Sequence, residues 1–222
     1  MMIKQISLTV FLFIAIVALS LSGSYAQPVD TKTAATILSG VSAKYKTFTT
    51  VKATFSMKSE SSANAVTEQQ SGTLYVKGNK YKLELTNQEI FCDNTKIWTY
   101  LKDANEVQVN NYEPDADEIT PTQIFTIYEK NFLCGYIEEK TINGKVYQVI
   151  DMTPNDKSKT YFKVRLMIDK VEKTIYSAKI FNKDGTKLTF EIQKLTPNTT
   201  IADTFFTFDA KQHPGVEVVD LR

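Results

Sequence analysis

The stretch from Gly72 to Tyr100, GTLYVKGNKYKLELTNQEIFCDNTKIWTY, decides the fold class. Leu74 and Val76 alternate with Thr73, Tyr75 and Lys77, and Tyr81, Leu83 and Leu85 alternate with Lys80, Lys82, Glu84 and Thr86. Successive side chains of a strand point to opposite faces, so this period of two marks strands with one apolar side. Between the two runs stands Gly78-Asn79, a pair that tolerates positive φ and closes tight hairpins. A third run, Ile90 to Cys92, turns at Asp93-Asn94 and returns as Ile97-Trp98-Thr99-Tyr100, with Trp98 and Tyr100 sharing a face. The stretch predicts hairpin-linked antiparallel strands that turn aliphatic and aromatic groups to one side.

Upstream, Lys4 precedes the apolar run Val10 to Leu21, and Ser24-Tyr25-Ala26 is a small-x-small cleavage site. Residues 1–26 therefore read as a secretory signal peptide, the apolar run being shorter than the roughly 20 residues of a spanning helix. No Cys follows the site, so the mature chain does not carry the usual bacterial lipid anchor. The 196 residues after it, 27–222, fit one domain with a sizeable core. Lys4 is the one charged residue of the leader, which leaves 25 basic against 25 acidic side chains. A formal charge of zero argues against nucleic acid, and against electrostatic docking to anionic membrane as the main activity. Cys92 and Cys134 lie in a compartment that allows pairing, and their spacing leaves free thiols and a disulfide equally open.

From Asp30 or Thr31, either of which can cap it, a helix is expected. Ala34, Ile37, Leu38, Val41 and Tyr45 form one apolar stripe along it. Val51, Ala53, Phe55 and Met57 give a strand over Phe48 to Met57, and polar Ser59 to Ser71 reads as a hairpin tip or mobile loop. Asn110 to Thr120 is a polar loop whose Asp115, Asp117 and Glu118 read as solvated carboxylates rather than as a metal site or an acid and base pair. Pro121 opens a second helical pattern to about Phe132, with Ile124, Ile127 and Tyr128 on one face. The rest is strands: Tyr136 to Ile142 and Val146 to Met152 around Asn143-Gly144, then Phe162, Val164, Leu166 and Ile168 on one parity. Tyr176, Ala178 and Ile180 follow, then Leu188, Phe190 and Ile192 after Asp184-Gly185. The single histidine, His213, stands by a Pro-Gly turn, and no Gly-rich phosphate loop, catalytic triad or zinc motif is present.

Taken in order, Val51-Lys52-Ala53-Thr54-Phe55, Gly72-Thr73-Leu74, Phe91-Cys92-Asp93-Asn94-Thr95-Lys96-Ile97-Trp98-Thr99-Tyr100, Glu106-Val107-Gln108-Val109 and the closing Phe206-Thr207-Phe208 and Pro214 to Asp220 resemble the outer-membrane lipoprotein carrier protein (LolA) family. The resemblance spans nearly all of the chain after residue 26. It implies a mainly β fold with a few helices: an incomplete, strongly curved antiparallel half-barrel with a helical lid. It also implies a periplasmic, monomeric, non-enzymatic carrier without cofactor or metal. Such a carrier hides the acyl chains of lipoproteins between an inner-membrane release complex and an outer-membrane acceptor.

On that reading the cavity is lined by Phe55, Leu74, Val76, Tyr81, Leu83 and Leu85, by Trp98 and Tyr100, and by Phe162, Val164, Leu166, Phe190 and Ile192. Ile37, Leu38 and Val41 with Ile124, Ile127 and Tyr128 form the lid. Plain core packing is the competing reading of each residue. Where the family usually has Arg-Pro, whose arginine latches the lid to helix carbonyls, this chain has Gly78-Asn79-Lys80. Lys80 is the candidate latch, a point charge in place of a planar fork. Two other classes remain: an envelope sensor or structural module of the same fold that recognises lipid or protein without shuttling, and a small all-β hydrolase built on Asp115, Asp117 and Glu118.

Overall fold

The computed structural model describes residues 29–61, 67–113 and 131–222. The leader, the carboxylates at 115–118 and the second helical pattern at 121–130 lie outside them.

Helix α1 (Thr31–Tyr45) opens the described chain, and the Asp30 side chain caps it by accepting from the Thr33 N–H at 2.9 Å. Its buried residues are the expected stripe Ala34, Ile37, Leu38, Val41 and Tyr45. Twelve strands follow: β1 (Val51–Glu60), β2 (Thr67–Lys77), β3 (Lys80–Leu85), β4 (Gln88–Cys92), β5 (Lys96–Leu101), β6 (Glu106–Asn111), β7 (Phe132–Ile142), β8 (Lys145–Pro154), β9 (Tyr161–Asp169), β10 (Ile175–Asn182), β11 (Lys187–Pro197) and β12 (Glu217–Asp220). They form one curled, open sheet in the order β12-β6-β5-β4-β3-β2-β1-β11-β10-β9-β8-β7. The fold is thus mostly β, as expected, and each half is a hairpin meander.

The first strand is β1 at Val51–Glu60 rather than Phe48 to Met57, and three further features differ from the expectation. Thr67 to Ser71 is strand, because β2 stays paired with β1 out to Glu60↔Thr67, and cross-strand hydrogen bonding overrides a polar composition. Phe132 begins β7 instead of ending a helix. The last strand, β12, runs parallel to β6, the one parallel pairing among the described strands. The chain leaves β11 at the middle of the sheet and crosses its outer side through two short 3-10 turns, Asp203–Phe206 and Ala210–Gln212, so it reaches β6 from the same end.

The core lies on the inner side, where α1 packs. It joins the α1 stripe to Val51, Ala53 and Phe55, to Leu74, Val76 and Tyr81, and to Ile150, Met152, Val164, Leu166 and Ile168. Both ends of α1 are fixed to the sheet: the Asp30 carbonyl accepts from the Tyr136 N–H at 3.0 Å, and the buried Tyr45 hydroxyl accepts from the Ile175 N–H at 3.1 Å. Asn143 and Gly144 take φ of 50° and 77°, the geometry for which this turn pair is suited.

Gly72 sits between its partners Phe55 and Leu85. A Cβ there would lie 2.6 Å from the Glu84 carbonyl oxygen, 2.8 Å from Leu85 Cδ2 and 3.0 Å from Phe55 Cζ. Gly40, in α1, would meet only Lys173 Cδ, at 3.8 Å. Gly72→Ala should cost about 1–3 kcal/mol, since a ladder carbonyl cannot move aside. Gly40→Ala should gain about 1 kcal/mol from helix propensity. Urea denaturation of both variants checks this, and equal effects would contradict it.

Candidate functional site

Cross-strand register sorts the expected site residues onto two faces. Along one inner row Ile192 pairs with Phe55, Phe55 with Gly72, and Gly72 with Leu85. Along the next, Leu195, Ala53, Leu74, Leu83 and Ile90 follow one another, and along a third Val51, Val76, Tyr81, Cys92 and Ile97. Phe55, Leu74, Val76, Tyr81, Leu83, Leu85, Val164, Leu166, Phe190 and Ile192 all point inward with the α1 residues Ile37, Leu38 and Val41.

This inner face is not uniform. On β8 and β9, Ile150, Met152, Leu166 and Ile168 are 0% exposed, close-packed in the arm that α1 covers. On β3 to β5 and β11, by contrast, Leu83, Leu85, Ile90, Ile97, Phe190 and Ile192 pack against the core yet are only half-buried. Phe55 and Phe190 meet at the junction, ring centroids 6.3 Å apart. The half-buried arm includes Ile90 and Ile97, which the sequence places on strands but not in the expected cavity lining. Their inward place follows from the pairing of Leu83 with Ile90, Tyr81 with Cys92 and Cys92 with Ile97, which alternation within each strand does not supply.

Three expected cavity residues face the other way. Cys92 pairs with Ile97 and Phe91 with Trp98, so the β4–β5 turn puts Ile97 inside and Trp98 and Tyr100 outside. Tyr100 lies against Phe208 and His213, at 5.4 and 4.4 Å between ring centroids, and its hydroxyl donates to Asn105 Oδ1 at 3.0 Å. Phe162 sits at a bulge: Lys163 pairs with Phe181 and Tyr161 with Asn182, which skips Phe162, hands its inward place to Tyr161 and leaves the phenyl 50% exposed. The lid residues Ile124, Ile127 and Tyr128 lie outside the described residues.

Lys80 does not latch a helix. Its ammonium donates to Asp203 Oδ2 at 2.9 Å, on the outer side, and Lys77 holds the other oxygen at 2.7 Å and donates to the Ile201 carbonyl at 2.8 Å. These lysines tie down the crossover that leads to β12. Beneath it the outer face is aromatic, with Tyr75 against Phe205 and Phe91 against Phe208, and a hollow of about 890 Å³ lies between crossover and sheet. Lys82 is seated in it between Glu84 (2.8 Å) and Glu89 (3.1 Å), over the rings of Phe91 and Phe205. Cys92 and Cys134 are free thiols, on β4 and β7, far apart in the strand order. Among the described residues no group of three or more His, Cys, Asp or Glu could hold a metal ion.

The family model of the outer membrane lipoprotein carrier protein LolA matches residues 46–209. The chain belongs to the LolA family. Among solved structures, an uncharacterized conserved protein from Thermus thermophilus has a TM-score of 0.55 at 11% identity, over 85% of this chain and 99% of that one, which shows a shared fold. A LolA superfamily protein from Nitrosomonas europaea has a TM-score of 0.42 at 13% identity, over 79% of this chain and 97% of that one. The MucA/MucB complex of Pseudomonas aeruginosa gives 0.41 at 13%, over 81% of this chain and 62% of the matched one. No curated protein matches the chain. The LolA match begins at Lys46 and so leaves α1 outside it.

The hydrogen bonds from Lys77 and Lys80 lower the Asp203 carboxyl to about 2. A group depressed in this way contributes stability above the ordinary carboxylate range near 4, lost as pH falls through about 2. Wild type should therefore be more stable than Asp203→Asn at pH 7, and the gap should close between pH 4 and 2. Chemical denaturation followed through the emission of Trp98, the single tryptophan, reads it; a gap independent of pH would contradict the tie.

Proposed function

We propose that this chain is a non-enzymatic carrier that takes the acyl chains of lipoproteins on the half-buried arm of its inner face. In this reading residues 27–222 form one binding domain, exported behind a cleaved leader at 1–26. It works in the periplasm as a monomer, between an inner-membrane release complex and an outer-membrane acceptor. Membership of the LolA family supports the class of function. The observation that carries it is the uneven inner face: one arm close-packed under α1, the other apolar and only half-buried at Leu83, Leu85, Ile90, Ile97, Phe190 and Ile192.

The physical need is plain. Each acyl methylene left in water costs about 0.8 kcal/mol, so a chain that crosses an aqueous compartment must be hidden, and it must also be released. A half-buried wall offers apolar contact without the jigsaw fit that would hold the guest for good. Because α1 is fixed at Asp30 and Tyr45, it serves as a standing cover, and cargo enters beside β3 to β5. Lys80, bound to Asp203, takes no part in release.

Mature protein mixed with membranes that carry a lipidated protein should leave that protein in the soluble fraction, and Ile90→Glu should lower the yield about tenfold or more, since a buried unpaired carboxylate is costly. A folded protein that extracts nothing, and instead retains a protein partner, would replace the carrier with the sensor.

A further inference from the structure

The β9 bulge has a second consequence. It turns Phe162 out of the inner face to stand 50% exposed, against Phe181 at 6.1 Å between ring centroids. Lysines surround the pair. Lys163 Nζ lies 4.3 Å from the Phe181 ring and Lys179 Nζ 5.8 Å, and each also has a carboxylate, Asp151 at 3.6 Å and Glu60 at 2.9 Å. Lys157 and Lys183, in the adjoining turns, are exposed and donate to backbone carbonyls, Lys157 to Pro154 at 3.2 Å and Lys183 to Lys157 at 2.6 Å. The turn carboxylates Asp156 and Asp184 accept from Ser158 and Thr186 and keep their charge, Asp156 acting on Lys159 and Lys183. Two strands from Phe162, on the edge strand β7, Leu133 is 54% exposed.

We infer that this corner, Phe162 with Lys157 and Lys183, is a docking surface for anionic lipid headgroups, the phenyl entering the interface while the lysines meet phosphates. Lysine is depleted at protein–protein interfaces, whereas an aromatic ring flanked by lysines suits a membrane surface, where ring and ammonium sit at headgroup depth. A chain of zero net charge after its leader can dock through such a local cluster, in whose turns Lys157, Lys159 and Lys183 outnumber Asp156 and Asp184, because charge is felt only within a Debye length of about 8 Å at physiological salt. The site uses headgroups and no acyl cargo, so it stands or falls separately from the carrier reading.

Co-sedimentation of the mature protein with phosphatidylglycerol-containing and with pure phosphatidylcholine vesicles tests it. Wild type should sediment with the anionic vesicles only, and less as salt rises. Lys157→Ala/Lys183→Ala should bind about thirty-fold more weakly, the combined attraction of two lysines to an anionic surface. Phe162→Ser, which removes an exposed side chain, should bind about tenfold more weakly. Thermal melting confirms that the variants fold, and the salt response of wild type decides the matter if they do not. Absence of binding to anionic vesicles, binding indifferent to salt, folded variants that bind as wild type, or capture on polyglutamate without vesicle binding would each overturn the inference.

Discussion

The one α-helix among the described residues is too short to cover this sheet. With 15 residues α1 is roughly 22 Å long at 1.5 Å per residue. Twelve strands about 4.8 Å apart span roughly 53 Å along the curl. On the inner side the apolar band runs out to Ile90 and Ile97 and gives way to Thr99, Gln108 and Asn110 on β5 and β6, so among the described residues α1 closes the arm β7 to β10, and Leu83, Leu85, Ile90 and Ile97 are left half-buried. The binding reading depends on that mismatch between apolar area and cover.

The outer face solves the opposite problem. Phe91, Val107 and Val109 are buried there, on a side that one-sided alternation would leave to water. The crossover from β11 to β12 covers them with Phe205, Phe206 and Phe208, pinned by Asp203 between Lys77 and Lys80 and ended by the parallel pairing of β12 with β6. The lysine at the place of the family's latch is thereby committed to holding the closing segment, on the side away from α1.

Much of this was legible in the residues themselves. Alternation gave the inward parity of Leu74, Val76, Tyr81, Leu83 and Leu85, the 3.6-residue period gave the buried stripe of α1, and Asn143-Gly144 gave its hairpin. Trp98 and Tyr100 were misplaced because both are large and apolar, and alternation alone does not say which parity is inside. Only the pairing of Cys92 with Ile97 fixes that. Phe162 was misplaced because a bulge breaks the count within a single strand, and nothing in YFKVRLMID marks it. Lys80 was tied to the wrong partner because Asp203 lies far away in sequence and meets it only through the crossover.

The most direct test of the account is to trap a photoreactive acyl-chain probe on the mature protein and map the labelled residues by mass spectrometry. Labels on Leu85, Ile90, Ile97 and Phe190, with few on the packed Leu166 and none on Trp98 or Tyr100, are the predicted result. Labelling confined to the outer face, or none at all, would contradict the half-buried arm as the place where a hydrocarbon guest is held.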